Sequence, residues 1–221
     1  VIPPEQNAAF VCQMESVLEV YQRRYHEDFP VVCLDEATKQ LVKETVEPVA
    51  ARPGSPERAD YPYERNGTAN LFLLCEPMSG WRHVEVTHRR TAIDYAHLLQ
   101  HLVDDHFPDA LVITVVQDKL NTHDPASLYK AFEPTEARRI LQRLEFCYTP
   151  KHGSWLNMAE IELSILARQC LNRRIPEFEQ LQTEVTAWMQ ERNQKQTWID
   201  WRFTTEDARV KLKRLYPSIN N

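Results

Sequence analysis

Three acidic residues stand out because of the segments that carry them. Asp35 closes the run Pro30-Val31-Val32-Cys33-Leu34, and Asp118 follows Leu111-Val112-Ile113-Thr114-Val115-Val116-Gln117. Both runs are short, nearly continuously apolar and β-branched, which is how a strand covered on both faces reads. An acid just after such a strand is most often a helix cap or a turn residue. Two of them invite a second reading. If the strands are parallel neighbours, both carboxylates emerge at one edge of the sheet, where open α/β sheets carry their ligand sites. Two carboxylates held close raise each other's pKa unless a cation sits between them. Mg2+, which takes oxygen ligands and keeps several waters, suits that place.

The third acid is Glu160, in the stretch Pro150-Lys151-His152-Gly153-Ser154-Trp155-Leu156-Asn157-Met158-Ala159-Glu160-Ile161-Glu162. Lys151-His152-Gly153 reads as a loop and Ser154 as a helix cap. A helix over 155–171 would place Glu160 less than two turns from its start, able to lean toward the strand ends. Glu162 lies about 200° further round such a helix and reads as part of a solvated face. The segment Asp118-Lys119-Leu120-Asn121-Thr122-His123 is polar. Asn121 and His123 could orient a substrate or a metal-bound water, or could simply turn the chain into the next helix.

These acids need a scaffold. Residues 7–24 and 91–106 carry apolar residues at helical spacing. Residues 48–67, with four prolines and two glycines, read as an irregular loop. Asn66-Gly67 is a turn signal, Thr68–Leu74 a second strand, Pro77–Gly80 another turn and Trp81–Thr87 a third strand, so strands two and three form a hairpin. The helix before 111–116 suggests a crossover to a parallel strand. Short helices near 125–132 and 135–143, a fifth strand over 144–148, and helices over 155–171, 178–192 and 205–215 complete the chain. A three-stranded meander followed by helix-crossover strands gives an α/β fold with a ribonuclease-H-like mixed five-stranded sheet flanked by helices. Residues 1–29 form a linker and N-terminal helix, 30–175 the core, and 176–221 a C-terminal helical part.

Hydrophobic residues make up 43% of the 221 and charged residues 26%, enough for a buried core. No apolar run approaches the ~18–20 residues that span a bilayer, so no membrane association is expected. The start, Val1-Ile2-Pro3-Pro4-Glu5, has no signal-peptide pattern and no initiator Met, and reads as a fragment of a longer protein. Five scattered cysteines without CxxC spacing read as reduced thiols of a cytoplasmic protein. The net charge of −6 lacks the basic footprint of a nucleic-acid binder. It is nonetheless an average that an acidic site would bias, and local basic clusters exist: Arg82-His83, His88-Arg89-Arg90, Lys151-His152, Arg173-Arg174 and Lys211–Arg214.

Taken in order, Cys33-Leu34-Asp35-Glu36, Gln117-Asp118-Lys119-Leu120-Asn121-Thr122-His123 and Pro150–Glu160 resemble the catalytic segments of bacterial insertion-sequence transposases of the Tc–mariner superfamily, described as DDE superfamily endonucleases. The likeness runs from about residue 2 to residue 217. It implies that Asp35, Asp118 and Glu160 are the catalytic, metal-binding triad. Lys119 stands where relatives commonly have Asn, and the interval from 118 to 160 is longer than in eukaryotic relatives. The resemblance also implies helix-turn-helix DNA-binding modules upstream of this chain.

The resemblance implies two Mg2+ ions per site (Mn2+ substituting), cleavage of DNA phosphodiesters at transposon ends, and attack of the freed 3′-hydroxyl on target DNA. The partners are then transposon-end and target DNA, bound by a homodimer associated with the nucleoid. Lys119, Asn121, His123, Lys151, His152, Arg173 and Arg174 are candidate DNA contacts. Trp155, Trp198 and Trp201 could stack on frayed bases or pack in the core. Three rival readings share some of these features. One is a ribonuclease-H-like nuclease without strand transfer, one a non-catalytic transposase-derived DNA-binding protein, and one a glycosidase, which would use two carboxylates without a metal.

Overall fold

Strand β1 (Val31–Glu44) is the hub of the molecule. It pairs antiparallel with β2 (Tyr63–Glu76), which pairs antiparallel with β3 (Trp81–Thr87). On its other side β1 runs parallel to β4 (Ile113–Gln117), and β4 parallel to β5 (Leu144–Tyr148), giving the order β3-β2-β1-β4-β5. This computed structural model describes residues 2–3, 5–44 and 63–218. The expected loop over 48–67 therefore lies outside the described residues up to 62.

Side chains alternate across a strand, so parity decides which layer each residue joins. Val31 and Cys33 of β1, with Leu71, Leu73, Val84, Val86 and Val116, face a core shared with helices α1 (Ala8–Tyr21), α5 (Met158–Leu166), α6 (Phe178–Gln194) and α7 (Thr205–Lys211). Val32 and Leu34, with Phe72, Leu74, Ile113 and Val115, face a second core built with α2 (Ala92–His101), α3 (Leu128–Ala131) and α4 (Pro134–Leu141). The sheet is thus covered on both sides, as the apolar runs required. Caps place the helices. Asn7 accepts from Phe10 N at 2.9 Å, and Thr91 forms a capping box with Asp94.

Several expectations are corrected. Asn66-Gly67 does not turn the chain. Both lie inside β2, where the pairing steps from Gln40↔Thr68 to Val42↔Arg65, so two residues oppose Leu41. This is a β-bulge, and Gly67 supplies its positive φ of 87° without a Cβ penalty. β1 does not end at Asp35 but runs nine residues further, paired there with β2 alone. The helix expected over 155–171 is three pieces: a 3-10 turn (Ser154–Leu156), α5, and a π-helical turn (Ala167–Leu171). Helix α2 likewise continues as a π-helical turn, Leu102–His106.

Candidate active site

Register brings the two strand-borne acids level. Cys33 pairs with Val116 in the parallel β1–β4 ladder, so two residues further along Asp35 and Asp118 stand side by side where β4 ends. By parity Asp35 belongs to the sheet face that carries α5, while Asp118 follows the last residue of β4. Asp35 is half-buried, and its Oδ1 accepts from Glu36 N at 2.8 Å. Burial pushes its carboxyl up, and the nearby negative charges of Glu160 and Asp118 push it further, to about 6 against an ordinary 3.8. The Glu36 N–H and His123 act in the opposite sense. Glu160 and Asp118 therefore both lie within electrostatic reach of Asp35.

Glu160 is in the first turn of α5, exposed, with no side-chain hydrogen bond among the described residues. Its helix is held by ties that the sequence did not reveal. Asn157, not Ser154, caps α5: its Oδ1 accepts from Ala159 N at 3.1 Å, while its Nδ2 donates to Leu34 O of β1 at 2.8 Å. One buried side chain thus fixes the start of α5 to the residue before Asp35. Just upstream, Tyr21 of α1 donates to Leu156 O at 2.7 Å. At the far end Lys39 Nζ donates to Leu171 O and Arg173 O at 2.6 and 2.8 Å. Asn157→Ala is expected to cost about 1–3 kcal/mol of stability, since it removes a cap and leaves a buried carbonyl unpaired. Urea unfolding of the variant checks this, and a loss under about 0.5 kcal/mol would mean that the tie carries little.

Glu162 is not on a solvated face. It is 1% exposed, 3.2 Å from Arg82 Nε of β3, and paired through both oxygens with Arg192 of α6 at 2.8 and 3.1 Å. Arg82, expected in a basic surface cluster, is itself buried, with Asn193 and the Thr197 carbonyl as further partners. It cannot contact a phosphate. Its contact with Glu162 joins residues 80 positions apart, which no local pattern encodes.

His123 is corrected too. Its side chain is fully buried, so it offers no surface to DNA. Its Nδ1 donates to Asp118 Oδ1 at 2.7 Å, and its Nε2 stands 3.7 Å from Glu36 Oε2. Burial pushes the imidazole pKa down, but Asp118 and Glu36 raise it more, to about 9. Both ring nitrogens thus face carboxylate oxygens.

Beside Asp118 opens a groove of about 470 Å³, lined by Gln13, Lys119, Leu120, Lys151, His152 and Ser154. Lys119 lies over the Tyr148 ring at 5.8 Å. Lys151 and His152 are exposed, and His152 takes a positive φ of 66°. Asn121 is exposed on the loop after Lys119. Arg173 and Arg174 are not in this groove. They follow the far end of α5 and are engaged elsewhere, Arg173 with Glu184 and Arg174 with Glu44 at 3.4 Å. Trp155 and Trp201 pack against the α5-side core, whereas Trp198 is exposed.

The acids offer only oxygen donors and carry three formal negative charges close together, which fits a hard divalent cation. Among the described residues no three His, Cys, Asp or Glu side chains are already gathered around one point as an ion's ligands would be. The exposed Glu160 side chain has the freedom to complete such a set.

The sheet order, with three antiparallel strands followed by two parallel ones and helices on both faces, defines a ribonuclease-H-like fold, and solved structures agree. A crystal structure of the Mos1 mariner paired end complex with Mn matches with a TM-score of 0.56 at 15% identity, over 90% of this chain and 60% of that one. The Mos1 strand transfer complex matches with a TM-score of 0.59 at 14% identity, over 99% of this chain and 66% of that one. The paired end complex with Mg gives 0.56 at 14% identity, over 99% and 66%. The chain thus spans roughly three-fifths to two-thirds of the solved chains it matches. No curated protein matches it in sequence. The profile of the DDE superfamily endonuclease family matches residues 30–182, and the chain belongs to that family. No helix among the described residues is long and apolar enough to cross a membrane.

Proposed function

We propose that this chain carries the catalytic centre of a DNA transposase, which cleaves phosphodiesters at transposon ends and joins the freed 3′-hydroxyl to target DNA. The observation that supports this reading is that Asp118 stands level with Asp35 where β4 ends, and that the charges of Glu160 and Asp118 reach Asp35 and add to the effect of burial on its carboxyl. Membership of the DDE endonuclease family supports the nuclease chemistry. The likeness to transposase assemblies described as paired end and strand transfer complexes favours joining as the second step.

In this reading Asp35, Asp118 and Glu160 hold two Mg2+ or Mn2+ ions. When bound, such a pair supplies an acidified water and neutralises charge on the phosphate and on the departing 3′ oxygen. The protein's own part is placement. Asp35 and Asp118 are fixed by the β1–β4 register, with one oxygen of each already held, by Glu36 N and His123 Nδ1 respectively. Glu160 is delivered by the Asn157 tie and remains free to turn inward. Lys119, Lys151 and His152 line the adjoining groove with positive and polar groups that would seat the DNA backbone. Two copies, one per transposon end, would make the working unit.

The test is a joining assay. The chain is incubated with Mg2+ or Mn2+, a labelled transposon-end duplex bearing a free 3′-hydroxyl, and supercoiled plasmid. Label appearing covalently in plasmid, and lost with EDTA, is the expected result. Cleavage without joining would favour a nuclease without strand transfer. DNA binding with neither reaction would favour a non-catalytic transposase relative.

A further inference from the structure

Four side chains in successive contact run from the surface to the proposed site. Arg90 Nη1 donates to Glu36 Oε1 at 2.8 Å. The other oxygen of Glu36 faces His123 Nε2 at 3.7 Å, and His123 Nδ1 donates to Asp118 Oδ1 at 2.7 Å. Arg90 is half-exposed, Glu36 and His123 are buried, and Asp118 opens to the groove. At 3.7 Å the middle pair is too long for a hydrogen bond, and among the described residues neither facing atom has another partner. The two buried atoms therefore face only each other.

Parity explains how the chain is threaded. Asp35 and Glu36 are consecutive in β1 and so face opposite sides of the sheet. Asp35 points toward α5, whereas Glu36 points to the side that holds α2. There the His123 ring lies against the Tyr95 ring of α2, with centroids 4.9 Å apart. Tyr95 OH donates to Gln117 Oε1 at 2.9 Å, and Gln117 Nε2 donates back to His123 O at 3.3 Å. The imidazole is thus held on its face by an aromatic ring, through its backbone by Gln117, and at both nitrogens by carboxylates.

The geometry points to Glu36 and His123, with Arg90 behind them, as positioning residues that fix the rotation of the Asp118 carboxylate, engaging Oδ1 and leaving Oδ2 for a divalent cation. This inference rests on the proposed metal-binding role of the acids. Of the two acids carried by the strands, Asp118 is the one in more need of such support. It follows the last residue of β4, on a polar loop, and its side chain is 39% exposed. Without the imidazole its carboxylate would rotate freely, and binding an ion would have to stop that rotation. Groups that hold a ligating carboxylate are worth roughly 10–100-fold in metal affinity.

The experiment measures Mn2+ binding to the DNA-free chain by titration calorimetry, with a thermal melt for each variant to report folding. His123→Ala is expected to weaken binding roughly 10–100-fold. His123→Asn, whose amide can reach Asp118 but not Glu36, is expected to recover most of that loss, which a generally disturbed core would not do. Glu36→Gln keeps the shape and removes the charge facing His123, and is expected to weaken binding severalfold. Unchanged Mn2+ affinity in folded His123→Ala, or in Glu36→Gln should His123→Ala fail to fold, overturns the inference. Asp118→Ala separates the two claims. If it abolishes binding while the His123 and Glu36 variants leave it intact, only the positioning role is lost. If it too leaves binding intact, or the wild-type chain binds no Mn2+, the metal-binding reading of the acids is lost, and the positioning role with it.

Discussion

In Asp35→Asn, DNA cleavage is expected to fall by on the order of 10³-fold or more, while the metal-free chain melts at a higher temperature than the wild type at pH 7. The two effects have one origin. The Asp35 carboxyl titrates near 3.8 ordinarily and near 6 in the folded protein, through burial and the charges of Glu160 and Asp118. The folded state therefore binds this proton more tightly than the unfolded chain. As pH rises from about 4 to about 6, ionisation costs folding free energy; the cost is absent below that window and constant above it. Asparagine keeps the shape and can still accept from Glu36 N, but it carries no charge. The stabilisation of Asp35→Asn in EDTA should thus be present at pH 7 and vanish near pH 4, while cleavage is lost throughout. Melting curves at the two pH values and a cleavage assay check both halves. Equal melting temperatures at pH 7 would falsify the claim that burial and the neighbouring acids load the Asp35 carboxylate, and retained cleavage would remove Asp35 from the reaction.

A second large effect is expected from the neighbouring acid of α5. Glu162→Ala should destabilise the fold by about 3–5 kcal/mol, because it strands a buried guanidinium without its carboxylate. Arg82 is 1% exposed on its side chain and would keep only Asn193 and a backbone carbonyl as partners. Glu160→Ala, two residues away on the exposed side of the same helix, is expected to change stability by no more than about 0.5 kcal/mol. On the proposed function the pair divides labour: Glu160 would serve the reaction, and Glu162 ties the helix to Arg82 of β3 and Arg192 of α6. Urea midpoints of the two variants decide it. Similar losses in both would mean that the buried ion triad contributes no more than a surface charge.

Much of this was legible in the residues. β3 and β5 were readable at their observed limits because each is bounded by turn or helix signals and has the composition of a strand. The three acids could be singled out because each of their segments carries its own local pattern. What was not legible depends on distant partners. Beyond Asp35, β1 turns polar, since only β2 flanks it there, so its true length was hidden. Asn66-Gly67 has the same chemistry in a bulge as in a hairpin turn, and only the strand opposite tells them apart. Glu162 looked solvated because Arg82 and Arg192 are remote in sequence. His123 looked like a contact residue because its burial between Asp118 and Glu36 follows from the β1–β4 alignment. An Asn three residues before Glu160 is the one local hint that the helix begins at Asn157.

The irregularity at Gly67 matters for which changes this chain can absorb. Asp35 and Glu36 have opposite duties on opposite sides of one strand, so sliding β1 by a single residue would exchange them and erase the site in one move. Alignment upstream of Leu41 must therefore be kept to the residue. The extra residue opposite Leu41 works as a slip joint: past it, strand phase is already reset, and altered pairing among residues 42–44 and 63–65 is not transmitted back to Asp35. Length changes can accumulate on the far side of that joint while the chemistry keeps its frame.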